Sequence, residues 1–366
     1  MELEHLESVR LTPEDKLVII DQTRLPGELV YIELNTLEDM VDAIYQLRVR
    51  GAPAIGICAG YSLFVLADRL AAKGLEGDAF RAALREQAAA LAAARPTAVN
   101  LSWAVRRMLA RMDAMPGAPA GEVVAALRAE AVAIHKEDIA MCRAISEYGL
   151  SLLHPGDGVL THCNAGPLAT SRYGTGQGPF FLAAERGFPL KIFADETRPL
   201  LQGARLTAWE LDRAGADVTL ICDNMASIVM KNGWVQACMV GCDRVAANGD
   251  AANKIGTSGV AIIAKHYGVP FYCCAPSSTI DMTMESGDEI HIEQRKPEEV
   301  TEMWYEKRMA PEGVGVVNPA FDVTDHNFVT GIITEKGIAY PDETGSFKSA
   351  FEKMGIKPVE KFVDKK

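Results

Sequence analysis

The chain lacks most of the signals that assign an α/β protein at sight. Basic charge is in deficit: 37 Lys and Arg face 49 Asp and Glu, for a formal net charge of -12. No basic stripe offsets that excess, which excludes a nucleic-acid surface. Arg and Lys stand singly inside small-residue motifs, a placement that suits a small anionic ligand. No run reaches about 18 consecutive apolar residues, so no membrane span is expected. The first residues, Met1 to Glu7, carry charged side chains and no apolar stretch, so no signal peptide is expected either. The eight cysteines, at 58, 142, 163, 222, 238, 242, 273 and 274, have no zinc-type spacing. Most lie in apolar runs as small hydrophobes, and a reduced cytoplasmic protein is the simplest account. The G-x-G-x-x-G dinucleotide fingerprint is missing as well. Gly174-Thr175-Gly176-Gln177-Gly178 is G-x-G-x-G, and we read it as a turn that lets the backbone approach a ligand.

What is present is ample for two cores: 366 residues, 48% hydrophobic and 23% charged. Short strands are expected near the start, over Leu17–Ile20 and Leu29–Ile32, around a turn at Leu25-Pro26-Gly27. From Thr36 to about Leu150 the period becomes helical, with four or five helices, among them Asp78–Ala94, Leu101–Met115 and Gly121–Leu150. After His154-Pro155-Gly156-Asp157-Gly158 strands and helices alternate. Strands are expected over 159–162, 190–194, 217–221, 237–241 and 269–274, with a late one at 321–324. The fold class is therefore α/β. Residues 1–150 form short strands plus a helical N-terminal domain, and residues 151–366 a Rossmann-like parallel-sheet domain with helices on both faces.

Polar clusters follow four successive strands, where α/β sheets gather their binding groups. Thr161-His162-Cys163-Asn164 ends the first, with His162 expected to point away from Cys163 because neighbours on a strand alternate faces. Asp195-Glu196-Thr197-Arg198-Pro199 with Gln202-Gly203 ends the second, and Asp223-Asn224 the third. The apolar run Ala237–Gly241 leads into Asp243, and Asn253 and Lys254 follow in a loop of small and polar residues. Arg50-Gly51-Ala52-Pro53 opens a helix, where free N–H groups beside an Arg make a phosphate cradle. Each cluster alone reads equally as a cap or a corner; together they read as one active site. The charge-dense stretch from Glu285 to Glu302 reads as a solvated loop and helix start.

In this order the motifs closely resemble those of the methylthioribose-1-phosphate isomerases of methionine salvage. That family belongs to a larger group with regulatory subunits of the translation-initiation exchange factor and with ribose-1,5-bisphosphate isomerases. The resemblance spans residues 10 to 345. It implies Cys163 as active-site thiol, Asp243 as proton donor, and phosphosugar contacts from Arg50, Gly51, Ala52, Arg95, Gln202, Asn253 and Lys254. It also implies a homodimer with no metal or nucleotide cofactor. The segment Ala165–Thr170 to Gly176–Pro179 departs from the commoner family form. An isomerase of 5-deoxyribose 1-phosphate or ribose 1,5-bisphosphate is thus an alternative, as is a non-catalytic regulatory subunit of the same fold.

Overall fold

The structure is a computed structural model that describes residues 6–96 and 98–357. The first residues, Met1 to His5, lie outside the described residues. The chain resolves into two compact units. One comprises residues 2–141 together with the short return Pro167–Gly174; the other comprises 142–166 and 175–366.

The helical unit opens with a three-stranded antiparallel sheet: β1 (Val9–Leu11), β2 (Leu17–Ile20) and β3 (Tyr31–Leu34). β2 lies at the expected residues, β3 falls two residues later than expected, and β1 was not anticipated. Five helices follow: α1 (Leu37–Tyr45), α2 (Ala52–Ala72), α3 (Gly77–Ala93), α4 (Val99–Asp113) and α5 (Ala120–Leu150), the last continuing into the second unit. Thr36 caps α1 in a reciprocal box: its hydroxyl accepts from the Asp39 amide, and the Asp39 carboxylate accepts from the Thr36 amide. By length and composition α2 passes for a membrane span, but most of its apolar surface is buried inside the protein. An all-round apolar helix of that kind is a core helix.

In the second unit the strands alternate with helices: β4 (Gly158–Thr161), α6 (Gly178–Glu185), β5 (Lys191–Asp195), α7 (Ala208–Arg213), β6 (Asp217–Ile221), α8 (Ala226–Lys231) and β7 (Ala237–Gly241). A hairpin, β8 (Arg244–Ala246) and β9 (Ala251–Lys254), precedes α9 (Thr257–Tyr267) and β10 (Phe271–Cys274). The later strands are β11 (Ile280–Asp281), β12 (Phe321–Thr324), β13 (Gly331–Thr334) and β14 (Gly337–Ala339). Seven of these strands form one sheet in the order β14-β13-β10-β7-β4-β5-β6, parallel except for β14 at one edge. The Rossmann-like expectation holds.

Two details differ from it. The polar stretch after Asp243, expected as a loop, is the β8–β9 hairpin, held as sheet by pairing with β11 and β12 on its two sides. β12 pairs antiparallel with β9 in a separate sheet of order β11-β8-β9-β12, so it does not extend the parallel sheet. The strand order also carries functional information. The chain lays β4, β5 and β6 outward in one direction, then returns to place β7 on the other side of β4. The sheet's topological switch point, where α/β proteins open their ligand crevice at the carboxyl ends of the strands, lies between β4 and β7.

Candidate active site

Two of the predicted residues flank that switch point. Cys163 stands just beyond β4 and Asp243 just beyond β7, and these strands pair directly (Val159 with Ala237, Leu160 with Cys238). A Cβ built on Gly241 would lie 2.6 Å from the Ala165 methyl, so the end of β7 rests against the turn that follows Cys163. Gly176, expected to bring backbone near a ligand, instead makes room for β7: a Cβ there would sit 2.4 Å from the Gly241 nitrogen. The glycine loop is thus a packing device for the sheet.

Cys163 is half-buried and adopts φ 67°, the left-handed region where few side chains sit. Its amide donates to Thr197 Oγ1 at 2.8 Å, and Thr197, fully buried and β-branched, is itself at φ 65°. Two strained residues at adjacent strand ends hold each other, a pattern that clusters at working sites. Asp223 reinforces them from the end of β6, its carboxylate accepting from the Thr197 amide at 2.7 Å and the Arg198 amide at 2.8 Å. The Cys163 carbonyl accepts the Thr207 hydroxyl at 2.6 Å. Thr207 lies in a π-helical turn, Gly203–Thr207, directly after Gln202. Such turns are rare and favour functional sites.

Gln202 is buried, and its Oε1 has no hydrogen-bond donor among the described residues. Asn253 and Lys254 end β9. Asn253 is buried, with its amide on Thr257 Oγ1 at 3.1 Å. Lys254 is half-buried; its Nζ donates to the Ala320 carbonyl at 2.9 Å and stands 4.2 Å from the Phe321 ring centre. Asp243 is exposed. The desolvation that its apolar leader suggests stops at Gly241, because the hairpin turns the chain outward right after the strand.

The remaining predicted residues belong to the helical unit. Gly51, at φ 89°, is the cap residue of α2, with no side chain capping the helix start and Pro53 in its first turn. A Cβ at Gly51 would come within 2.4 Å of the Ala169 carbonyl oxygen, so only glycine fits. Ala52 begins α2 and is exposed; Arg50, just before, is half-buried. Arg95 lies in the turn between α3 and α4, its carbonyl accepting from the Ala98 amide at 2.9 Å.

Sequence reasoning gave no role to a fully buried polar group next to Cys163. His162 is fully enclosed, with Nδ1 2.9 Å from Asp195 Oδ2 and Nε2 2.8 Å from the Ile255 carbonyl. Burial pulls its pKa down, but the Asp195 bond and charge, with Asp223 4.0 Å away, raise it above the ordinary histidine value. Asp195 is itself lifted to about 6, burial outweighing the imidazole beside it. Strand alternation does carry His162 off the Cys163 side, yet the signal was available: a His and an Asp ending neighbouring strands.

Comparison with known proteins agrees with this architecture. Residues 48–341 match the Initiation factor 2 subunit family. A methylthioribose-1-phosphate isomerase of Symbiobacterium thermophilum is 61% identical, covering 92% of this chain and 93% of its own length. A 5-deoxyribose 1-phosphate isomerase of Moorella thermoacetica is 55% identical over 90% and 93%. Among solved structures, the 5-methylthioribose 1-phosphate isomerase of Pyrococcus horikoshii OT3 superposes with a TM-score of 0.90 at 40% identity, covering 97% of this chain and 99% of that one. A protein described as the delta subunit of translation initiation factor eIF-2B from A. fulgidus gives 0.86, also at 40%, over 94% and 99%. With the match running through both units and through every motif at the switch point, the chain belongs to the Initiation factor 2 subunit family.

Proposed function

We propose that the protein is an aldose–ketose isomerase that converts 5-methylthioribose 1-phosphate to 5-methylthioribulose 1-phosphate, with Asp243 as proton donor and Cys163 as catalytic thiol. The observation that carries this reading is the thiol and the carboxyl at the ends of β4 and β7, either side of the switch point. The high identity to isomerases of two 5-substituted ribose 1-phosphates supports it.

Phosphate on the anomeric oxygen prevents this sugar from opening to a free aldehyde. Asp243 therefore gives a proton to the ring oxygen as the bond from that oxygen to C1 breaks. In a direct route the C2 hydrogen moves to C1 with its electron pair, and the C2 hydroxyl proton passes to the Cys163 thiolate. In an enolate route the thiolate takes the C2 proton and C1 is protonated afterwards. Either way the product carries a C2 carbonyl and a CH2 at C1. Asp243 is exposed, so the bound sugar itself must exclude water and, with its phosphate charge, keep the carboxyl protonated.

The phosphosugar contacts in this reading are Arg50, Gly51, Ala52, Arg95, Gln202, Asn253 and Lys254. The uncapped start of α2 suits a phosphate, and the orphaned Gln202 Oε1 suits a sugar hydroxyl. We also assign a homodimer and a cytoplasmic setting. All eight cysteines are free thiols. The edge strand β6 and the segment after it expose Leu220, Met225, Ile228 and Trp234, an apolar surface of the kind that a second subunit covers.

The test is ketose formation from methylthioribose 1-phosphate, 5-deoxyribose 1-phosphate and ribose 1,5-bisphosphate. The first is expected to turn over best, and no turnover of any would sink the isomerase reading. Cys163→Ser and Asp243→Asn are each expected to fold and to lose on the order of 100-fold or more in kcat. Near wild-type turnover in either removes that residue from the mechanism. Deuterium from D2O at product C1 would reject the direct route.

A further inference from the structure

His162 does not belong to the set of residues assigned above, yet its two ring nitrogens join the separate parts of that set. The Ile255 oxygen is a carbonyl and only accepts, so Nε2 carries a hydrogen and donates to it. A second proton must then lie between Nδ1 and Asp195 Oδ2 at 2.9 Å, whichever atom holds it. The imidazole is thus a bridge with a fixed tautomer. One end is pinned by the carboxylate that closes β5; the other grips the peptide immediately after Lys254.

That peptide opens α9, and its other groups are held from one direction. The Ile255 amide donates to the Ala320 carbonyl at 3.2 Å, and the Gly256 amide donates to Asp322 Oδ2 at 2.8 Å. The Ser258 amide and hydroxyl also go to Asp322. All of these partners come from β12 and the residue before it. Among the described residues, the Ile255–His162 bond is what ties this turn to β4. His162 is adjacent to Cys163, and Ile255 is adjacent to Lys254.

We propose that His162 is a positioning residue for the isomerisation: through its Nε2 bond to the Ile255 carbonyl it sets the end of β9, which carries Asn253 and Lys254, in register with the strand end that carries Cys163. The inference rests on the isomerase reading for the roles of those three residues. Asp195 holds the ring in the orientation that aims Nε2 at Ile255.

Two amide variants separate the ring's two bonds. The side-chain nitrogen of His162→Gln reaches about as far as Nε2 and can still donate to Ile255. That of His162→Asn reaches only about as far as Nδ1, so it keeps Asp195 and loses Ile255. With methylthioribose 1-phosphate as substrate, the Gln variant is expected to keep kcat/KM within about 10-fold of wild type. The Asn variant is expected to lose about 100-fold, shared between a higher KM and a lower kcat, because a small misplacement of binding groups costs that much. Amide hydrogen exchange at 256–258 should quicken in the Asn variant and stay slow in the Gln variant. Equal activities, a better Asn than Gln, or a loss of activity with exchange unchanged overturns the proposal. If the Asn variant does not fold, the Gln variant decides alone: slow exchange with at least a tenth of wild-type turnover supports the bridge, and loss of either rejects it. Should wild type turn over none of the phosphosugars, the isomerase reading falls, while the exchange data still report on the bridge.

Discussion

Two buried histidines, one in each unit, have pKa values shifted in opposite directions. In the helical unit His135, on α5, meets the Tyr61 hydroxyl at 2.8 Å through Nδ1, while its Nε2 is buried without a partner among the described residues. Burial pushes its pKa down to about 4, so it is neutral at physiological pH. In the sheet unit His162 is at least as enclosed, yet its pKa lies above the ordinary value because a carboxylate shares its proton. The same side chain in the same absence of water has its pKa pushed down beside a phenol and up beside an acid. Enclosure sets the cost of charge, and the neighbour decides whether it is met.

The strongest way to break this comparison is to remove the acid. In Asp195→Leu the His162 pKa should fall below the ordinary value, as that of His135 does, with a stability loss of about 3–5 kcal/mol, the range for breaking a buried pair of ionisable groups. Nitrogen NMR of labelled histidine reads the charge, and urea unfolding reads the stability. A His162 pKa still above the ordinary value would show that Asp195 does not raise it.

The next effect concerns His135 alone. The unfolded chain protonates its histidine near 6.5 and the folded one near 4. The unfolded state therefore binds more protons inside that window, and folding weakens as pH falls through it, with no effect above it. The full loss is about 3 kcal/mol by pH 4 and below. His135→Phe should flatten the urea midpoint of the helical unit between pH 6.5 and 4; an unchanged slope would place the acid sensitivity elsewhere.

A smaller effect is expected for Tyr61→Phe, which leaves His135 Nδ1 buried without its partner, at about 1–3 kcal/mol. The exposed cap supplies the scale: Thr36→Ala should cost about 1 kcal/mol of helical-unit stability. If the Tyr61 variant costs no more than the Thr36 variant in the same urea assay, burial is not what makes the His135 contact matter.

Much of the fold was legible in the sequence because its signals are local. Apolar runs gave β2, β6, β7 and β12 at their observed residues, and the helical period gave α3 to α5 within a few residues. The β8–β9 hairpin was missed because Arg244–Lys254 is rich in alanine and polar residues, which carry little strand preference; pairing with β11 and β12 makes it a sheet. The glycine turn at 174–178 was read toward a ligand because nothing local shows that β7 passes 2.4 Å from where a Gly176 side chain would be. Asp243 is exposed for a similar reason: the apolar run before it ends at Gly241, and the hairpin's direction decides what faces water.

By itself the sequence determined which residues end each strand, and so which polar groups the sheet can present together. Hydrophobic period and breaker residues suffice for that, because they act within a few positions of chain. Only the tertiary structure decided that β4 and β7 are neighbours, which puts Cys163 and Asp243 on either side of the switch point. It alone decided that the His162 pKa is raised, because the shift depends on an acid 33 residues away meeting it where water is excluded.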